Sequence, residues 1–114
     1  MIENYKSGII TIDGKEYQND VLIKLDGQVE LWMRTGGGKR VTKEDVIEAV
    51  KQQPEQIVIG TGANDTVEVA DEARQHIIDQ KINLSTEPIG RAIEKYNQLK
   101  QDGKQPIGLF VLAE

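Results

Sequence analysis

Hydrophobic positions along this chain fall first into strand spacing and then into an alternation of helix and strand spacing. Residues 8–12 and 17–25 are β-branched or alternating, and Asp13-Gly14 between them is a hairpin turn signal. Asp26-Gly27 supplies a second such turn before Val29, Leu31 and Met33, which alternate with Glu30, Trp32 and Arg34. The pattern predicts a meander of three antiparallel strands at the start of the chain.

Gly36-Gly37-Gly38 then breaks the strand pattern, and Thr42 with Asp45 three residues later fits a capping box that opens a helix. Val46, Ile47, Ala49 and Val50 would form its buried stripe, and Pro54 closes the element. Ile57-Val58-Ile59 reads as a central strand covered on both faces. After Gly60-Thr61-Gly62 come a strand-like stretch over 66–69, a short helix headed by Asp71 with Ala73 and Ile77 inward, and a strand over 81–84. Ile89, Ala92, Ile93, Tyr96 and Leu99 recur at helical spacing, with Pro88 near the start and Gly103 beyond the end. A strand over 107–112 closes the chain. This order predicts one α/β domain over 1–114: a mixed central sheet flanked by helices, with the antiparallel meander packed beside it. There is no repeat and no linker.

Composition narrows the function. The chain has 114 residues, 38% of them hydrophobic and 29% charged, which describes a globular domain able to bury a core. A formal charge of −5 opposes a broad phosphate-binding surface, so nucleic acid is not an expected partner. Without cysteine there is no disulfide framework, thiol nucleophile or thiolate metal site. The first residues lack a signal-peptide pattern, and no apolar run approaches the ~20 residues a bilayer requires. The expected location is the cytoplasm, with no membrane contact.

Two segments invite a ligand. Gly60-Thr61-Gly62 directly follows an apolar strand, where glycines let backbone N–H groups approach an anion; Asn64 lies within the same bend. A dinucleotide fingerprint is incomplete there, because Asp65 stands where the third glycine would fall and residues 67–69 read as strand. The alternative is a tight turn that needs positive φ. Between Glu30 and Glu44 the chain carries Arg34, Lys39, Arg40 and Lys43 with no acid, an island of positive charge leading to a helix N-terminus. It is no Walker loop, since Arg40 follows Lys39 and Met33 takes the place of the leading glycine. A solvated hairpin tip is the other reading. Trp32 beside it could pack internally or serve as an exposed partner-binding anchor.

The rest of the chemistry is sparse. His76 is the only histidine, so multi-histidine metal sites are ruled out, and no Gly-x-Ser-x-Gly elbow exists to join it in a triad. It reads as a boundary residue of its helix. Acidic residues are dispersed over helix first turns and polar faces. No catalytic residue, metal ligand or cofactor is assigned.

Several segments together resemble a known family: the Gly8-Ile9-Ile10 strand, Tyr17 through Asp20-Val21, Asp26-Gly27 leading to Trp32, Pro54-Glu55 before Ile57-Val58-Ile59-Gly60-Thr61-Gly62, and Ala92 with Tyr96-Asn97. They resemble the domain shared by mitochondrial complex I assembly factor three, the adipogenesis-associated protein and many uncharacterised archaeal and bacterial proteins. The resemblance spans nearly the whole chain and implies a three-layer α/β fold with a mixed central sheet, in proteins that are mainly uncharacterised or act through protein partners. It supplies no catalytic residues. Lys39 stands where many relatives carry His, and Ile89 where they carry Thr, with Thr86 three residues too early. The carry-over is therefore chiefly of fold, and the bare domain resembles the prokaryotic members more than the mitochondrial one. The sequence points to a non-enzymatic interaction or assembly-type domain with a protein partner. The alternative is a small-anion or metabolite-binding protein, enzyme or not, using the Gly-Thr-Gly turn or the basic segment; self-association through a sheet edge is compatible with both.

Overall fold

Two-residue turns set the first layer. In the computed structural model, which describes residues 1–35 and 38–112, strands β1 (Ile2–Lys6), β2 (Ile9–Ile12) and β3 (Lys15–Tyr17) form an antiparallel meander. Lys6 pairs with Ile9 across Ser7-Gly8, and Ile12 with Lys15 across Asp13-Gly14. All four turn residues have positive φ, 53°, 80°, 50° and 83°, as type I′ hairpins require.

Strands β4 (Val21–Ile23) and β5 (Val29–Leu31) follow, then β6 (Arg40–Val41), helix α1 (Lys43–Lys51), β7 (Gln56–Thr61) and β8 (Glu68–Val69). Helix α2 (Asp71–Asp79), β9 (Asn83–Glu87), helix α3 (Ile89–Gln101) and β10 (Ile107–Val111) complete the order. The main sheet runs β5-β4-β10-β7-β9; β10 is parallel to β7 and antiparallel to β4, so the sheet is mixed. β6 and β8 form a separate parallel ribbon. Helices α1 and α2 cover one face through Val46, Ala49, Ala73 and Ile77, packed on Leu22, Trp32, Ile57, Ile59 and Leu109. Helix α3 and the meander cover the other through Ala92, Tyr96, Ile10 and Ile12, packed on Val21, Ile23, Val58 and Phe110. The α/β fold with a mixed central sheet and an N-terminal antiparallel meander is thus the one the sequence predicts.

Several details differ, the two-residue β6 among them, where no strand was expected. β1 escapes sequence reading because its Glu3, Asn4 and Lys6 break the apolar alternation. The single strand expected over 17–25 is two, because the chain leaves the meander after Tyr17 and enters the main sheet at Val21. The opening is therefore two antiparallel units in different sheets. β7 is interior to the main sheet and buried from Ile57 to Thr61, as expected, while the middle position goes to β10, which inserts between β4 and β7. The strand expected over 81–84 begins at Asn83 and reaches Glu87, because Lys81 turns with φ 62°. Gly36 and Gly37 of the three-glycine run lie outside the described residues, as do Ala113 and Glu114.

Two glycines let α3 approach the sheet. Phe110 lies over Gly60, and a Cβ on Gly60 would sit 2.8 Å from its ring; one on Gly108 would sit 2.5 Å from the same ring and 3.2 Å from Tyr96. Tyr96 meets Phe110 edge-on, with centroids 6.1 Å apart and planes at 76°. Gly108→Ala should therefore destabilise the protein by about 1–3 kcal/mol through overpacking, measurable by urea denaturation.

Burial, with the Asp13 carboxylate adding to it, pushes the Tyr96 phenol up from 10.0 to about 12. The folded chain then holds this proton more tightly than the unfolded chain, so stability should fall as pH rises from about 10 through about 12. Absorbance titration should show one of the three tyrosines ionising near pH 12, and that step should vanish in Tyr96→Phe.

Candidate interaction site

The Gly-Thr-Gly segment is closed upon itself. Gly60 and Thr61 are the buried last residues of β7, and Gly62 turns with φ 89°. The Thr61 hydroxyl lies against the Asp65 carboxylate and within 3.0 Å of the Glu87 carbonyl, while the Gly62 carbonyl accepts the Ile89 N–H at 3.1 Å. The bend thus clamps the start of α3, and Asn64 is exposed at its tip. Asp65, which looked like an interruption of a phosphate loop, is the partner of Thr61.

The basic segment is largely committed to the fold. Arg34 donates from Nε to Asp20 Oδ2 at 3.0 Å, with a second nitrogen 2.9 Å from the same oxygen, and its side chain is 6% exposed against 17% for Asp20. A third nitrogen donates to the Arg40 carbonyl at 3.2 Å, and the guanidinium stacks 5.6 Å over Trp32. The other Asp20 oxygen accepts the Leu112 N–H at 2.9 Å. Arg40 pairs with Glu68 at 2.8 Å in the open, and Lys39 is exposed. Gly38 is exposed at the tip, and the expected convergence of the glycine run on an anion involves residues outside those described.

Trp32 is buried, and its indole N–H donates to the Asp45 carbonyl at 2.9 Å, so of its two readings the geometry realises packing. Asp45 is itself buried: one oxygen accepts Thr35 N–H at 2.7 Å and the other accepts Thr42 N–H at 2.9 Å, which realises the capping box. Sequence spacing showed the cap but not the bond to Thr35, which staples the base of the loop. His76 is half-buried on α2 and lines a groove of about 510 Å³ against α1, with Lys43, Ile47, Val50 and Lys51. Among the described residues there is no group of three His, Cys, Asp or Glu side chains placed to hold a metal ion.

The feature that sequence reading missed lies on the other side of Trp32. β5 is an edge strand, with β4 on one side and no strand among the described residues on the other. Trp32 N–H bonds to the Asp20 carbonyl, and Lys24 N–H to the Gln28 carbonyl, which fixes residues 28, 30 and 32 as the inward-bonding set. The N–H and C=O of Val29 and Leu31 consequently point out from the sheet. Leu31 is 55% exposed and Met33 is 81% exposed along that border. A shallow groove of about 510 Å³ runs beside them, lined by Gln18, Asn19 and Arg34. On the helix side, a second groove of about 330 Å³ lies between β5 and α1, walled by Glu30, Glu44 and Glu48 and bordered by Leu31 and Met33 as well. The alternation over 29–34 was the available signal: Trp32 turns inward, so Leu31 and Met33 turn away from it.

Residues 2–111 match the family described as protein of unknown function, DUF498/DUF598. The chain belongs to that family. A search of the curated proteins found no match. Among solved structures, a conserved hypothetical protein from Pyrococcus horikoshii superposes with a TM-score of 0.84 at 20% identity, covering 98% of each chain. A protein from Bartonella henselae, described as an outer membrane protein, gives 0.84 at 21% identity, covering 99% of this chain and 94% of that one. A Bordetella pertussis protein described as a Mth938-like domain gives 0.70 at 14% identity, covering 98% and 85%. At these identities the likeness is one of fold, and the family resemblance read from the sequence is borne out. The family is described as one of unknown function and the Pyrococcus horikoshii protein as hypothetical, and nothing in these descriptions shows an enzyme. No helix among the described residues is long and apolar enough to cross a membrane.

Removing Arg34 should leave the half-buried Asp20 carboxylate with only one oxygen satisfied. Arg34→Ala is expected to cost about 3 kcal/mol in urea denaturation, whereas Arg40→Ala, which breaks an exposed pair, should cost under about 1 kcal/mol. Equal losses for the two would show that the Asp20–Arg34 pair does not anchor the fold.

Proposed function

We propose that this DUF498/DUF598 member is a non-enzymatic interaction domain that takes up an extended segment of a protein partner by strand addition at β5. The observation that carries this reading is the open edge itself: outward N–H and C=O groups on Val29 and Leu31 beside the exposed Leu31 and Met33. Unpaired strand edges are templates for pairing, and main-chain hydrogen bonds supply affinity when an extended peptide completes the sheet. Exposed apolar side chains next to such an edge add buried area on binding. Within this reading the domain works in the cytoplasm, in keeping with its cysteine-free sequence.

The alternative, a small-anion or metabolite site, draws less support. The Thr61 hydroxyl is turned to Asp65 and Glu87, Arg34 to Asp20, and Arg40 to Glu68. Lys39 and Lys43, both exposed, would be left as the main cations of the segment.

Affinity capture with the wild-type protein should recover a partner that is lost with the double variant Leu31→Lys/Met33→Lys, whose changes fall on exposed positions and should leave the melting temperature nearly unchanged. Equal recovery by both proteins would remove β5 as the binding edge.

A further inference from the structure

The groove between β5 and α1 says what kind of segment the edge would accept. Glu44 and Glu48 stand one turn apart on α1, and Glu30 projects from β5 toward the same helix. Two lysines are nearby: Lys24 lies 3.6 Å from Glu30, and Lys51 lies 3.6 Å from Glu48 in a pair exposed on both sides. Of these two, only Lys24 lines the groove, so its wall carries three exposed or partly exposed carboxylates against one cation. Asp45 at its floor is buried and already bonded to Thr35 and Thr42. Side chains of a strand added to β5 would alternate between the two faces of the sheet. Leu31 and Met33 border both grooves, so side chains on one face would lie on these two residues, and those on the other would enter the acidic groove beyond them. We infer that the β5 edge binds an extended partner segment in which apolar residues alternate with Lys or Arg, the apolar set lying on Leu31 and Met33 and the basic set facing Glu30, Glu44 and Glu48. This inference rests on the strand-addition reading above and adds the chemistry of the partner.

Charge also decides against a second copy of this chain as the occupant. Antiparallel pairing of two β5 edges about a two-fold axis normal to the sheet keeps both α1 helices on the same face. Glu30, Glu44 and Glu48 of one copy would then face the same residues of the other, and like charges set opposite each other across strands destabilise the pair. The overall charge of −5 adds to that repulsion.

The test is calorimetric titration of the full chain with the synthetic peptide Lys-Val-Lys-Val-Lys-Val, capped at both ends, at about 50 mM salt, where surface charge is weakly screened. Controls are the block isomer Lys-Lys-Lys-Val-Val-Val and the acidic analogue Glu-Val-Glu-Val-Glu-Val. The alternating basic peptide should bind, and its dissociation constant should rise about tenfold or more in Glu44→Gln/Glu48→Gln and again on raising salt to about 500 mM. Leu31→Pro, which removes one outward N–H, should abolish binding; Leu31→Lys provides the same test should the proline variant fail to fold. If the acidic analogue binds as well as the basic one, the charge assignment is overturned while strand addition stands. If the block isomer binds equally and Leu31→Pro and Leu31→Lys have no effect, strand addition fails as well. Failure of all three peptides, with a concentration-dependent dimer in sedimentation that Leu31→Lys dissolves, would give the edge to a second copy and overturn the proposal. Failure of all three peptides without a dimer would also overturn it.

Discussion

A single carboxylate joins the three parts of the chain that meet at this surface. Asp20 sits where the chain passes from the meander into the main sheet; one oxygen accepts Leu112 N–H at the end of β10, and the other receives two nitrogens of Arg34. A charge this secluded is tolerated only when it is paired and hydrogen-bonded, and here both oxygens are used. Arg34 in turn holds the Arg40 carbonyl and lies over Trp32, whose indole N–H is tied to the Asp45 carbonyl. Through this chain of contacts the entry to β4, the exit from β10 and the base of the loop after β5 are fixed relative to one another. The position of the open edge follows from that. β5 is held on one side by β4 and from its end by Arg34, and its outer border has no strand partner among the described residues.

The same economy explains why the most ligand-like segment of the sequence is structural. A glycine after an apolar strand is needed wherever a backbone must pass close to something, and a phosphate is only one such object. Here the object is Phe110: its ring occupies the space a Cβ on Gly60 or Gly108 would take, and Tyr96 closes over it from α3. Thr61 and Asp65 then use their polar groups on each other and on the Glu87 carbonyl. The strand end at β7 is therefore where α3 is locked onto the sheet.

Periodicity made most of the elements legible because it records burial. Val46, Ala49 and Val50, or Ala92, Tyr96 and Leu99, repeat at helical spacing since each helix buries one side. The Asp13-Gly14 turn was readable because its φ angles restrict it to a few residue types; Ser7-Gly8 carries the same signal more weakly, and β1 before it is too polar to announce itself. What sequence could not show was partnership across distance. Arg34 looks like a free cation until Asp20, fourteen positions earlier, is placed against it, and Asp65 looks like an obstruction until Thr61 is seen beneath it. Strand order belongs to the same class, since nothing local tells β10 to insert between β4 and β7. The site was half legible: Trp32 drew notice as an aromatic among charges, but the informative residues were Leu31 and Met33 on either side of it.

The edges of this protein are not treated alike, and that asymmetry gives the β5 border its meaning. At the opposite end of the main sheet β9 carries Asn83, Ser85 and Glu87, polar residues that discourage pairing, and β3 at the border of the meander carries Lys15 and Glu16. β5 has Glu30 alone as a charge among Val29, Leu31 and Met33 along its border, and its own side chains leave Leu31 and Met33 in water. An edge of that composition carries a standing risk of aggregation, which a single lysine at either apolar position would reduce at little cost to the fold, because neither side chain is buried. The acidic wall of α1 limits the risk from a different direction, since it repels another copy of the same edge and leaves the border open to a basic strand. Apolar side chains for contact and carboxylates for selection are what a surface needs if it must accept one kind of extended segment and refuse its own.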